Sequence, residues 1–297
     1  MGIYLTKPNK EKHSQSGSAD TLRFGLSSMQ GWRTTMEDAH IAAVNLKENV
    51  HVFGVFDGHG GVEVALFCAE NFLTQLKKNP KFDAGKYKEA LEETFMRMDE
   101  MLSTPEGEKR LKALKKESES KGNSFAGCTA NVCIVTKEEV YCANAGDARS
   151  ILFGSDGVLS LSTDHKPDLE KERARIVAAG GYVSEGRVND NLNLSRAIGD
   201  LEFKKNPALK PESQIISAFP DVTITKIDKK YKFLLMGCDG IWEMLPAKEI
   251  CEKATMRLAK EENVAKVVED LLDQMIAKDT VSGIGCDNMT CILVVFK

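Results

Sequence analysis

Residues 50–56 read Val-His-Val-Phe-Gly-Val-Phe, an almost unbroken apolar run rich in β-branched and aromatic side chains and too short for a helix. Such a run fits a strand covered on both faces, so the chain has to build layers of structure around a central sheet. Other segments extend that sheet. Leu22, Phe24 and Leu26 alternate with more polar neighbours, as a half-buried strand requires, and 41–46 reads as a further strand. Strand patterns resume at 129–136, 139–144 and 149–153, where Gly154-Ser155-Asp156-Gly157 turns the chain into a hairpin, and again at 222–227, 232–236 and 290–296.

Between the strands the period changes. Val62, Ala65, Leu66, Ala69, Phe72, Leu73 and Leu76 trace one face of a helix that Asn79-Pro80 ends, and Tyr87, Ala90, Leu91, Phe95, Met98 and Leu102 trace a second. The charged stretch 105–123 reads as a solvated helix or a loop. Shorter helices are expected over 168–179, with Gly180 as a left-handed cap, and over 246–260 and 263–278. Strands with short turns, interrupted by helix pairs, predict an α+β layered fold with antiparallel pairing. No repeat or linker divides it, so 20–297 reads as a single domain. Residues 1–19 are polar and read as a mobile arm.

With 40 basic and 44 acidic residues the net charge is -4, which argues against a broad nucleic-acid-binding face. The eight cysteines are scattered, without a Cys-x-x-Cys pair, and read as reduced thiols. No apolar run approaches the roughly 20 residues of a membrane span, and no secretory h-region is evident at the N-terminus. The expectation is a monomeric cytoplasmic or nuclear protein. Met1-Gly2-Ile3-Tyr4-Leu5-Thr6 fits the pattern for N-myristoylation of Gly2, with Lys7, Lys10 and Lys12 behind it, which would add reversible membrane contact.

Acidic residues fall at strand ends. The 50–56 run enters Asp57-Gly58-His59-Gly60-Gly61, and Phe233-Leu234-Leu235-Met236 enters Gly237-Cys238-Asp239-Gly240. Asp147 stands between two strand patterns, Asp287 precedes the last strand, and Glu37-Asp38 follow the first. Taken singly, each Asp-Gly is a common turn. Taken together, they point to convergence, and carboxylates about 5 Å apart repel by roughly 3 kcal/mol at an effective dielectric of about 20. Cations have to offset that. The ligands are hard oxygens, which favours Mg²⁺ or Mn²⁺ over Zn²⁺ in a dinuclear site. Beside such a site His59 is a candidate general acid, though alone it reads as a loop histidine. Arg33 either pairs with Glu37 or clamps a phosphate. Trp32, Trp242 and Phe56 read as core.

At these residues the chain resembles the metal-dependent serine/threonine phosphatases of type 2C, the PPM family. The matching blocks run in order from Arg33-Thr34-Thr35-Met36-Glu37-Asp38 through Val55-Phe56-Asp57-Gly58-His59-Gly60-Gly61, Gly127-Cys128-Thr129-Ala130 and Asn144-Ala145-Gly146-Asp147-Ala148-Arg149. They continue with Leu194-Ser195-Arg196-Ala197-Ile198-Gly199-Asp200, Cys238-Asp239-Gly240-Ile241-Trp242 and Asp287-Asn288-Met289-Thr290. The resemblance implies a central sandwich of two antiparallel β-sheets flanked on both sides by pairs of α-helices, with two metal ions in a cleft at one end. It implies hydrolysis of phosphoserine and phosphothreonine in protein substrates by a hydroxide bridging two Mg²⁺ or Mn²⁺ ions, without a phosphoenzyme. Asp57 would bridge the ions, Glu37 and the Gly58 carbonyl would complete one shell, and Asp239 and Asp287 the other. Arg33 would grip the substrate phosphate, His59 would protonate the leaving alkoxide, and Asp38 and Thr129 would orient water.

Two departures stand out. Cys128 replaces the usual Ser, and Glu243 stands where an Asp is commoner, at a position linked with Asp147 and Asp239 to a weaker third ion. The stretch 164–191 resembles the family's variable flap. Two alternatives stay open: a haloacid-dehalogenase-type enzyme, which would need an Asp where His59 stands, and an inactive phosphatase-like module that binds phosphoproteins.

Overall fold

A computed structural model describes residues 4–118 and 126–297. Strands β1 (Tyr4–Ser18), β2 (Leu22–Arg33), β3 (Asp38–Lys47) and β4 (Val50–His59) open the chain. Helices α1 (Glu63–Lys78), α2 (Pro80–Asp83), α3 (Tyr87–Leu102) and α4 (Pro105–Glu117) follow. Strands β5 (Gly127–Cys128), β6 (Ala130–Val135), β7 (Glu139–Ala145), β8 (Arg149–Gly154) and β9 (Gly157–Ser160) come next. The region after β9, which includes the expected flap at 164–191, holds α5 (Glu170–Ala178) and the short strands β10 (Val183–Ser184) and β11 (Arg187–Val188), and β12 (Ile198–Gly199) follows it. Strands β13 (Asp221–Lys226) and β14 (Tyr231–Gly237), helices α6 (Ala247–Leu258) and α7 (Val264–Met275), and strand β15 (Met289–Phe296) complete the described residues.

The strands form two antiparallel sheets, ordered β1-β2-β15-β14-β8-β9 and β12-β5-β4-β6-β7-β13, with β3 also paired to β4. Alternation along β4 explains how they stack. Phe53 and Val55 face the other sheet and join a core with Phe24, Leu235 and Leu293, where the Phe24 and Phe53 rings meet edge to face at 5.2 Å. Val52 and Phe56 point the opposite way and pack with Phe72, Leu91 and Phe95 of α1 and α3. On the far side, Val267, Val268, Leu271 and Leu272 of α7 and Ile250 of α6 close the first sheet. The result is the expected four-layer helix–sheet–sheet–helix sandwich. The charged stretch after Ser103 begins as helix α4, capped by Thr104, whose Oγ1 accepts from Gly107 N at 3.0 Å; residues 119–123 of that stretch lie outside the described residues.

One expectation is corrected here. Residues 4–18 are not a mobile arm; they form an edge strand on β2, in continuous register from Lys12↔Met29 to Ser18↔Arg23. Ladder hydrogen bonds use only the backbone, so a strand with one neighbour and little buried surface needs no apolar pattern. Lys12 Nζ adds an ion pair with Asp273 of α7 at 3.0 Å. Gly2, the expected acylation site, lies outside the described residues.

The flap region is fastened by a buried ion cluster. Arg196 Nη2 lies 2.6 Å from Glu172 Oε1, Ser195 Oγ donates to Glu172 Oε2 at 2.8 Å, and Arg196 Nη1 donates to Asp221 Oδ1 at 2.9 Å. Burial raises the Glu172 pKa, but hydrogen bonds from Arg196 and the charges of Arg175 and Arg196 outweigh it and hold this carboxyl at about 2, against an ordinary 4.5. A folded-state pKa below the unfolded one means stability that is present above about pH 4.5 and lost as pH falls towards about 2. The shift corresponds to roughly 3 kcal/mol. Thermal unfolding of Glu172→Gln should therefore show a large loss at pH 7 and a flatter acid limb than the parent chain; an unchanged acid limb would remove Glu172 from the account.

Candidate active site

Antiparallel pairing brings the acids together by register. Asp38 opens β3 directly opposite Asp57 near the end of β4. Gly237 at the end of β14 pairs with Cys291 early in β15, so Asp239 and Asp287 emerge side by side, and Asp147 follows the end of β7. Arg33 closes β2 at the same end of the sandwich. Both sheets thus deliver their carboxylates to one rim, where Arg33, Glu37, Asp57, Gly58, His59, Thr129, Asp147, Asp239 and Asp287 line a cleft of about 200 Å³. A larger groove of about 1090 Å³, beside α3, contains none of these residues.

Two trios have donor atoms all within 4.8 Å of one another: Asp57 with Asp147 and Asp239, and Asp57 with Asp38 and Cys238. Asp57 belongs to both. Burial first, then the charges of Asp239, Asp38, Asp147 and Asp287, push its pKa well above the usual carboxylate range. Burial and Asp147 likewise push Asp239 up to about 7, and burial pushes Asp38 up to about 6. Acids so destabilised as anions are a ready site for cations. Cys238 is a sulfur donor that linear reading had set apart from the acids. Burial raises its thiol far above the ordinary value and Sγ donates to the Asn288 carbonyl at 3.4 Å, so it stays a neutral thiol and the donor set remains hard oxygen. The residues fit a divalent, oxygen-preferring ion.

The surrounding shell is tight. Gly58 N donates to the Glu37 carbonyl at 3.2 Å, and a Cβ on Gly58 would stand 2.4 Å from that oxygen, so only glycine brings this backbone so near. Glu37 Oε1 accepts from Thr35 Oγ1 at 2.9 Å and Oε2 from Gly61 N at 3.3 Å. Asp38 Oδ2 accepts from Thr290 Oγ1 at 2.7 Å, while its Oδ1 is buried with no hydrogen-bond partner among the described residues. Thr129 is locked to Asp57 through N to carbonyl O at 2.8 Å. Sequence reasoning missed Asn288 as a clamp: its Nδ2 donates to the Gln30 and Thr35 carbonyls and its Oδ1 accepts from Glu37 N at 2.9 Å, tying the β2–β3 loop to β15.

Two side chains differ from expectation. Arg33 pairs not with Glu37 but with Asp287, Nη2 to Oδ2 at 2.5 Å, leaving the guanidinium half exposed at the rim. Glu243 belongs to neither trio; it is exposed, and its Oε2 accepts from Gly285 N at 2.7 Å. Asp147 and Asp239 do meet, and Asp147 also takes an ion pair from Lys166 of the flap. The general-acid candidate has a carboxylate of its own: His59 Nε2 lies 2.7 Å from Asp200 Oδ2. Burial lowers the His59 pKa, but Asp200 outweighs it and raises the imidazole overall.

The family model for Protein phosphatase 2C matches residues 22–284. The chain is 50% identical over 301 residues to Probable protein phosphatase 2C 3 of Paramecium tetraurelia, covering all of both chains. It is 41% identical over 330 residues to Probable protein phosphatase 2C 11 of Oryza sativa subsp. japonica, covering all of this chain and 91% of the other. Among solved structures it is similar to a phosphatase from Toxoplasma gondii, at 25% identity and a TM-score of 0.77 over 96% of each chain.

Proposed function

The chain belongs to the protein phosphatase 2C family and is a metal-dependent protein serine/threonine phosphatase; on that premise we propose how its own residues divide the work. The observation that carries the proposal is the meeting of Asp57, Asp147 and Asp239 within 4.8 Å, in a cleft also lined by Glu37 and Asp287. Two Mg²⁺ or Mn²⁺ ions would be held here, with Asp57 shared between them, Glu37 and the Gly58 carbonyl serving one, and Asp239 and Asp287 the other. When bound, these ions supply Lewis acidity, which makes water nucleophilic near neutral pH and neutralises charge on the phosphoryl oxygens.

The protein groups do the rest. Arg33, half exposed at the cleft rim, turns from Asp287 to the substrate phosphate, where its planar fork suits two phosphate oxygens. Asp38, opposite Asp57 in the β3–β4 pairing, holds a buried carboxylate oxygen without a partner among the described residues and serves, with Thr129, to orient the attacking water. His59 gives a proton to the serine or threonine oxygen as it leaves, which matters because an alkoxide leaves poorly without one. A third, weaker ion is proposed at Asp147 and Asp239 alone, since Glu243 is committed to Gly285. Reversible membrane contact through acylated Gly2, a cytoplasmic or nuclear location and a monomeric state complete the reading. An inactive binding module finds no support: every expected metal acid is present, and the relatives are named as phosphatases.

Phosphate release from a phosphothreonine peptide in Mg²⁺, Mn²⁺ or EDTA tests the core of the proposal. Activity is expected only with the ions, and turnover that survives full chelation would end it.

A further inference from the structure

The contact between His59 and Asp200 reaches across a strand. β5 lies between β4 and β12, with Gly127 paired to His59 on one side and to Gly199 on the other. Asp200, the next residue, folds its carboxylate back over β5 to meet His59 Nε2 at 2.7 Å. The residue beneath has to be bare: a Cβ on Gly127 would stand 2.3 Å from Asp200 Oδ2 and 2.6 Å from His59 Nε2.

Asp200 is held in this pose from several directions. Its backbone is left-handed at φ 49°, a conformation that a non-glycine residue keeps only when its surroundings enforce it. Its amide donates to the Ala126 carbonyl at 3.2 Å and its carbonyl accepts from Phe203 N at 3.0 Å. Asp99 grips the preceding residue by accepting from Gly199 N at 2.8 Å, and Lys204 Nζ holds Asp99 in turn at 2.7 Å. The Asp200 side chain is only 3% exposed, and a carboxylate so buried is costly unless a partner meets it. His59 is that partner. The other ring nitrogen, Nδ1, is buried and has no hydrogen-bond partner among the described residues.

We infer that Asp200 is a positioning residue for the reaction: it fixes the His59 ring through Nε2 and so holds the imidazole at the cleft wall, oriented to give its proton to the leaving group. The inference rests on the reading of His59 as the acid. As water oxygen bonds to phosphorus, the bond from phosphorus to the serine or threonine oxygen breaks, and that oxygen keeps the electron pair and takes a proton from the His59 imidazolium. The neutral ring then regains a proton from solvent, matching the one the attacking water gives up. Gly127 belongs to the same device, because only glycine lets the carboxylate pass.

The test compares two leaving groups in the full chain at saturating Mn²⁺: a phosphothreonine peptide, whose alkoxide needs a proton, and p-nitrophenyl phosphate, whose phenolate does not. Asp200→Asn keeps the size and tolerates the left-handed backbone; it should lower kcat on the peptide about 10- to 100-fold and change aryl turnover far less. His59→Gln should show the same selectivity, and the double variant should be no worse than His59→Gln alone. Gly127→Ala, which keeps both side chains but forces them apart, should reproduce the selective loss, and Asp200→Asn should show it at an unchanged melting temperature. Equal losses on both substrates, or losses that multiply in the double variant, would overturn the inference and leave the pair a structural staple. If His59→Gln discriminates and Asp200→Asn does not, only Asp200 loses its role; if His59→Gln itself slows both substrates alike, the acid reading falls and takes the inference with it.

Discussion

Replacing Asp57 by Asn is expected to abolish most phosphatase activity while making the chelated protein more stable. The two effects have one cause. Asp57 shares each acidic trio, with donor atoms inside 4.8 Å, where a pair of like charges repels by about 3 kcal/mol at an effective dielectric of about 20. In EDTA nothing offsets that repulsion except proton uptake, which the raised pKa values of Asp57, Asp239 and Asp38 describe. Removing one charge should return about 2 kcal/mol, a gain of several degrees in Tm for a domain of this size. With ions present the sign should reverse, because the proposed bridging ligand is gone. A loss of about 4 kcal/mol in transition-state stabilisation would be a thousandfold in kcat. Calorimetry with and without Mn²⁺ checks both halves; an Asn variant less stable than the parent in EDTA would show that the acids do not strain the metal-free fold.

The second large effect is expected at Arg33. Arg33→Ala should lower kcat/KM on a phosphopeptide about 100-fold, as the loss of a charge-assisted contact to phosphate predicts. Arg33→Lys should recover only part of it, since an ammonium cannot present two parallel donors. The pairing of Arg33 with Asp287 supplies an independent readout. Without the guanidinium, Asp287 is released, so the Mn²⁺ concentration for half-maximal activity should stay level or fall. A rise in that concentration would mean that Arg33 supports the metal shell instead of the substrate.

Much of this site was legible because strand ends are marked in one dimension. Residues 50–56 had to be a central strand, and the acid that followed had to emerge at its end; the same holds for Asp239 after β14 and Asp287 before β15. Hydrogen bonds between distant residues leave no such mark. Asp200 lies 141 positions from His59 and Asn288 lies 251 from Glu37, and neither pairing has a period or a spacing to reveal it. Side-chain direction was equally hidden: Glu243 follows Trp242 as the family blocks suggest, yet its carboxylate turns to the 277–286 loop. The edge strand β1 was missed for a different reason. Hydrophobic pattern reports burial, and a strand held by backbone pairing alone has little burial to report.

That edge strand also decides how the molecule can be handled. Tyr4 pairs with Arg33, whereas Phe296 pairs with Leu22 at the opposite end of β2, roughly 35 Å away along the 12 residues of that strand. Any tag, fusion or surface linkage joined ahead of Tyr4 therefore crowds the entrance used by phosphoproteins. An attachment placed after Lys297 leaves that entrance facing open solution.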